Sequence, residues 1–365
     1  MRVPGRGPRK SNDSGAPPGA GKERVRILSA EPLNAETPLA ALEEALTPES
    51  EFFVRSHFRR HDLAPRKPVL EVVGAVKQPL RLNMADLEAM GTRTLAVTVE
   101  CAGNGRTGLQ PPPVGEPWGL GAVSTARWTG VPLRAVLESA RLRPRVVEIL
   151  AIGADRGRLP DVADEIPFAR SLPLAKARDP DTLLALQMNG RPIPPEHGAP
   201  IRLIVPGWYG MASVKCLERI EVLSEPFRGY YQLGRYVYDF EDGNPPTLVR
   251  TIRVRSVIVS PLDGDVVRQG QVIVRGKAWS GEGVVVRVQI GVDGAEPSQE
   301  ATLAPPISPH AWRAWEFAWG EASPGRHVLR SYATDAKGNR QPDVGRWNRY
   351  GYGNNAAQAV AVTVQ

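Results

Sequence analysis

The residue best placed for chemistry is a cysteine where a strand should give way to a glycine-rich turn. Thr94–Val99 reads as a strand, and the chain runs on as Glu100-Cys101-Ala102-Gly103-Asn104-Gly105-Arg106-Thr107-Gly108. Gly103, Gly105 and Gly108 satisfy the GxGxxG spacing of a dinucleotide site, which next requires a helix whose first amides face a pyrophosphate. Leu109-Gln110-Pro111-Pro112-Pro113 follows instead, and three prolines in a row deny that helix. What remains is a thiol beside glycines and Arg106. A thiolate is a soft, strongly donating metal ligand, and a nearby cation lowers the thiol's pKa. The alternative is a small buried apolar side chain.

The elements that must position this loop are short. Val69–Val73 reads as a strand, Leu39–Leu46 and Met84–Met90 as brief helices. Thr129 is a candidate cap for a helix through Pro132, Leu133, Val136, Leu137 and Ala140, whose spacing follows one helical face. Glu241–Pro246 combines Glu, Asp, Gly, Asn and two Pro and marks a domain boundary. Beyond it Val284, Val286, Val288, Ile290 and Val292 recur with period two, the signature of a strand with one buried face. Trp315, Phe317 and Trp319 repeat the alternation, as does Val328–Ala333. These segments predict an immunoglobulin-like antiparallel β-sandwich over 250–365. The whole reads as an α+β protein: a tail and lead-in over 1–48, with a disordered start, a mixed α/β catalytic domain over 49–245, then the sandwich.

Composition narrows the classes. The 365 residues include 36 Gly and 35 Pro, which favours turns and short strands over long helices. A net charge of +7 reads first as a generic solvated surface and next as suiting an anionic ligand, because Arg and Lys are scattered without the aromatic-basic stripe of a nucleic-acid binder. Two cysteines are too few for a disulfide framework or a Cys-built zinc site, and neither CxxCH nor HExxH occurs. No stretch is apolar enough for an export signal or a bilayer span, so the expectation is a cytoplasmic protein with no membrane and no nucleic-acid partner.

Five segments, taken in order, carry a resemblance. Phe52-Phe53-Val54-Arg55-Ser56-His57 resembles the FFxRNH motif of the sulfite oxidase family of molybdopterin enzymes, and Cys101–Arg106 its CAGNRR loop, whose Cys binds molybdenum. Trp118 with Gly121–Trp128 is similar to W…GAxSTARW. His197–Arg202, Val205-Pro206-Gly207 and Val214-Lys215 match HGxPxR…VPG…VK, and Tyr236 falls where the family has its active-site tyrosine. The resemblance covers roughly residues 50–360 and looks like the bacterial branch.

That resemblance implies a molybdenum-molybdopterin cofactor, with Cys101 the metal ligand and no haem or flavin in this chain. It places His197, Arg202 and Lys215 at the phosphate end of the pterin, Phe53, Val54, Arg55, Ser56 and His57 along another edge, and Ser124, Asp155, Ser213 and Val214 beside it. Arg55 and Arg106 become the anion-orienting arginines, Tyr236 a hydrogen-bonding partner of the reacting oxygen and Trp118 an apolar wall. Taken singly, His197 would equally suit a turn, Lys215 a solvated surface, and Trp118 and Tyr236 ordinary core. The implied reaction is oxidation of sulfite, by oxygen-atom transfer, with electrons leaving to an external acceptor such as a cytochrome or oxygen, in a homodimer. Departures are Gly105 for the first Arg of CAGNRR, Ala212 and Cys216 for Arg and Trp of the animal and plant enzymes, and Tyr350 for the arginine of a WNLRG-like segment, with Arg349 one place out of register. They keep reduction of nitrate or a sulfoxide in play. A non-catalytic immunoglobulin-like binding protein is the alternative from another class.

Overall fold

The computed structural model describes residues 24–59, 69–159 and 162–365, so the expected disordered start lies outside the described residues. Four sheets carry most of the chain. In the first half, Arg93–Glu100 pairs along its length with Val123–Pro132, which continues to Leu183–Met188, flanked by Arg191–Pro192 and Arg202–Ile204. The second sheet runs Leu80–Leu82, Leu70–Gly74, Leu217–Leu223, Glu148–Leu159, Val162–Pro173, with one parallel pair between Leu70–Gly74 and Leu217–Leu223. A small antiparallel sheet, Arg26–Ser29, Asn34–Glu36 and Val54–Arg55, brings the Phe53–His57 segment to the first half's core.

The chain is mostly β, which corrects the α+β expectation. Its α-helices are Met84–Ala89, Leu133–Ala140 and Leu174–Ala177 among the described residues. Asn83 and Asp86 close a reciprocal cap on the first. Thr129 caps nothing: it lies in the strand Val123–Pro132, where its hydroxyl meets that of Thr94 at 2.8 Å across the ladder. The helix starts only at Leu133, after Pro132, and buries Leu133, Val136, Leu137 and Ala140. The brief helix expected over Leu39–Leu46 is a 3-10 turn, Leu39–Glu43.

The C-terminal part stacks two sheets around one apolar core containing Val274, Val288, Trp315, Phe317, Leu329 and Val360. One sheet orders Arg255–Ser260, Gly270–Trp279, Arg313–Ala322 and Thr302–Leu303; the other Val266–Val267, Ala359–Val364, Gly325–Asp335, Val285–Val292 and Gln299–Glu300. It is not wholly antiparallel, because Val266–Val267 runs parallel to Ala359–Val364. The alternation through Val292 also breaks: the register slips between Val285 and Arg287, so Val285 is buried while Val284 and Val286 face out. A bulge of this kind moves every side chain before it to the opposite face. The first half's core continues into this part through Val257, Val259, Trp279 and Trp312. Among the described residues no helix is long and apolar enough to cross a membrane.

Candidate active site around Cys101

Cys101 lies one residue past the strand Arg93–Glu100, with its backbone N–H donating to the Ala122 carbonyl at 2.9 Å. It opens into a cavity lined also by Phe53, Arg55, His57, Ala102, Asp155, Phe168, Glu196, His197, Arg202, Gly210, Met211, Ser213, Lys215 and Tyr236. Residues from six other stretches of sequence thus converge on one thiol.

Each is held by local structure. Arg55 donates to Asn34 Oδ1 at 3.1 Å and to the Ser56 carbonyl, and the Ser56 amide also donates to Asn34 Oδ1 at 3.0 Å. Ser124 is fully buried; its hydroxyl accepts from the Phe53 amide at 3.1 Å and meets Thr37 Oγ1 at 2.9 Å. It therefore fixes the Phe53 segment from behind rather than lining the cavity. Val54 and Val214 are buried and hold strand and turn backbone. Ser213 Oγ accepts from the Val205 amide at 3.1 Å. Lys215 reaches Ser56 Oγ at 3.3 Å and the Glu196 carbonyl at 3.1 Å. Gly198, at φ +106°, ends the Pro195–His197 turn, and a Cβ there would stand 2.7 Å from that of Lys215.

Burial sets the protonation states. It holds the His57 imidazole far below its usual range, with Arg55 and Lys215 adding to the effect. It pushes the Tyr236 phenol far up, with Arg55 opposing. For Arg55 itself burial opposes the charge, but Tyr236, Cys101 and Glu116 outweigh it and the guanidinium stays charged. The Cys101 thiol is raised by burial against Arg55 and Arg106. His197 is pushed down to about 4, Lys215 to about 8 and Arg202 to about 10, and Asp155 is raised to about 6, each chiefly by burial.

The cavity suits an anionic, polar ligand that carries its own metal. Asp155 Oδ1, His197 Nδ1 and Arg202 Nε are buried without hydrogen-bond partners, which is costly unless something else meets them. Arg55, Arg202 and Lys215 outnumber the lining carboxylates, as a phosphate-bearing group needs. Among the described residues no three His, Cys, Asp or Glu side chains gather as metal ligands. One thiol fits a metal whose other ligands arrive with an organic cofactor, and coordination would deprotonate it outright.

Arg106 and Trp118 take other places. Arg106 donates to the Tyr350 carbonyl at 2.9 Å and the Glu116 carbonyl at 2.5 Å, and its guanidinium faces the Tyr352 ring at 5.5 Å. It acts on Cys101 through its field, from behind the loop. Trp118 packs in the apolar cluster that also holds Phe52, Phe53 and Cys101.

Residues 57–231 match the oxidoreductase molybdopterin binding domain, and residues 247–365 the Mo-co oxidoreductase dimerisation domain. The chain is 37% identical to mitochondrial sulfite oxidase of Rattus norvegicus over 363 residues, which is 93% of this chain and 66% of the rat protein. It is 34% identical to sulfite oxidase of Gallus gallus over 340 residues, 87% of this chain and 73% of that protein. The chain belongs to the sulfite oxidase family. It spans about two thirds of the length of the rat relative. Nitrate reductase [NADH] of Solanum lycopersicum is 30% identical over 375 residues, 93% of this chain and 41% of that protein. The crystal structure of the sulfane dehydrogenase SoxCD from Paracoccus pantotrophus superposes with a TM-score of 0.82 at 27% identity, covering 97% of this chain and 93% of that one.

For a member of the sulfite oxidase family, several contributors carry no motif signal. Phe168 stacks on His57 at 4.4 Å between centroids, Tyr231 meets its edge at 4.9 Å, and Arg170 lies over the Tyr236 ring at 5.7 Å. Tyr352 stacks on Tyr236 at 5.1 Å, and Tyr350 on Tyr352 at 5.7 Å. Only Tyr352 was within reach of sequence reasoning, two residues after Tyr350. Arg349 does not replace the missing arginine: it points to Asp239 at 3.8 Å.

Proposed function

We propose that this chain oxidises sulfite to sulfate at a molybdenum-molybdopterin centre held by Cys101. Bound molybdenum supplies oxygen-atom transfer: sulfite and water become sulfate, two protons and two electrons. The observation that carries the reading is the convergence of Cys101, Arg55, His57 and Tyr236 on one cavity that also holds His197, Arg202, Asp155 and Lys215. The second group would hold the pterin and its phosphate, with Ser56, Ser213 and the Val214 backbone shaping that end. The first would meet the substrate. Arg55 stays charged and planar, and so draws and orients an oxyanion. Tyr236 keeps its proton and can donate it in a hydrogen bond to a substrate oxygen. Phe168, which lines the cavity and stacks on His57, keeps water from that flank.

The likeness to sulfite oxidases and to a sulfane dehydrogenase supports a sulfur-centred substrate. A second reading, nitrate reduction, draws on the similarity to tomato nitrate reductase and on Tyr350 in place of an arginine. We take residues 49–245 as the catalytic domain and 250–365 as an immunoglobulin-like sandwich through which two copies pair. Electrons leave to a separate acceptor, a cytochrome or oxygen. The test is reduction of ferricyanide by sulfite with protein of confirmed molybdenum content. Turnover at roughly tens per second is expected. Sulfite inertness together with nitrate-dependent oxidation of a reduced dye would replace this reading with the second.

A further inference from the structure

Behind the Cys101 loop lies a buried ion pair that neither the cofactor nor the substrate site uses. Glu100, next to the cysteine, and Arg255, on the first strand of the C-terminal part, pair at 3.0 Å with both side chains only 2% exposed. Glu100 Oε1 also accepts from Asn104 Nδ2 at 2.9 Å, and Oε2 from Trp279 Nε1 at 2.9 Å. The same Arg255 Nη1 that meets Glu100 donates to the Asn104 carbonyl at 3.3 Å. One guanidinium therefore grips the chain just before and just after Cys101. Gly105 makes this possible: a Cβ there would stand 2.4 Å from Arg255 Nη2. The glycine that removes one charge from the loop is the opening through which a charge from the other domain enters.

We propose that Arg255 is a positioning residue for the Cys101 ligand, and that Gly105 and Arg255 work as a pair. This rests on the reading that Cys101 holds molybdenum. Misplacing a ligand by a fraction of an ångström changes the electronic structure of the metal before it unfolds the protein. A displacement of about 1 Å can lower turnover by about 10²-fold.

The experiment compares the molybdenum(V) electron paramagnetic resonance spectrum of wild-type holoenzyme with those of Arg255→Met, Arg255→Lys and Gly105→Asn. The signal is raised by a chemical reductant rather than by sulfite. Asn tolerates a positive φ, so Gly105→Asn keeps the turn and displaces the guanidinium while leaving its charge in the chain. We expect shifted g-values in Arg255→Met and Gly105→Asn at wild-type pterin content, with kcat reduced by about 10²-fold or less and KM little changed. Arg255→Lys should move the spectrum back toward wild type. Wild-type spectra and kcat in Gly105→Asn, with Arg255→Met either equally normal or merely less stable, overturn the proposal. Should Arg255→Met fail to fold, Gly105→Asn and Trp279→Phe decide on the same readout. A wild-type enzyme with a clean signal but no sulfite turnover defeats the substrate reading alone and leaves the comparison intact.

Discussion

The Tyr236 hydroxyl lies 2.6 Å from His57 Nε2, and burial holds both groups neutral. A neutral phenol and a neutral imidazole are thus joined by one hydrogen bond, and both line the Cys101 cavity. Phe168 stacks beneath the imidazole and Tyr352 beneath the phenol, so neither ring can turn away. Tyr236 itself sits at φ +52°, an uncommon backbone state for a bulky residue, held where its hydroxyl reaches the site.

Removing that hydroxyl should cost transition-state stabilisation rather than folding. For Tyr236→Phe we expect kcat/KM for sulfite to fall by about 10²–10³-fold, the usual effect of losing one preorganised donor. Pterin content should stay within error of wild type. Steady-state kinetics on molybdenum-loaded protein measures this, and an unchanged kcat/KM would remove Tyr236 from the reaction.

His197 predicts a pH dependence of the cofactor-free protein. Its ordinary value of 6.5 falls to about 4 in the folded state, so the unfolded chain binds the proton first. The stability of the neutral, buried form is therefore complete above about pH 6.5 and is lost as pH falls through 4. His197→Gln can keep the bond to the Glu49 carbonyl without titrating. The difference in unfolding free energy between wild type and variant should grow against wild type by on the order of 3 kcal/mol between pH 7 and 4. Using the difference removes the opposite contribution of Asp155, raised to about 6, which regains stability on protonation. Parallel denaturation curves across that range would contradict the assignment.

Gly198 tests the phosphate end without touching a charge. Alanine there must adopt φ +106° and press on Lys215. A destabilisation of about 1–3 kcal/mol is expected from the backbone alone. Pterin released on denaturation, measured by fluorescence, should fall further than the loss of stability explains, because Lys215 is pushed from Ser56 and Glu196. Full pterin content in Gly198→Ala would show that Lys215 does not hold the cofactor.

Much of the site was legible because its residues sit at punctuation marks. Cys101 follows an apolar strand and precedes glycines, and His197 ends a turn closed by Gly198. What was not legible depends on partners distant in sequence. Nothing in its own segment singles out Glu100, whose partners Arg255 and Trp279 come from the C-terminal part. Arg106 looks like an anion-binding arginine, yet the carbonyls of Tyr350 and Glu116 claim its donors. Thr129 has the chemistry of a helix cap, but Thr94 stands opposite and keeps it in the ladder. Val286 fits a buried alternation until a bulge turns it outward. In each case tertiary pairing overrides a local pattern that is sound in itself.

The central claim is that Cys101 is the protein's sulfur ligand to a sulfite-oxidising molybdenum. X-ray absorption at the molybdenum edge, on wild-type and Cys101→Ser holoenzyme, tests it most directly. One fewer sulfur neighbour is expected in the variant, with pterin retained, together with loss of sulfite-dependent ferricyanide reduction. An unchanged sulfur count with undiminished turnover would contradict it.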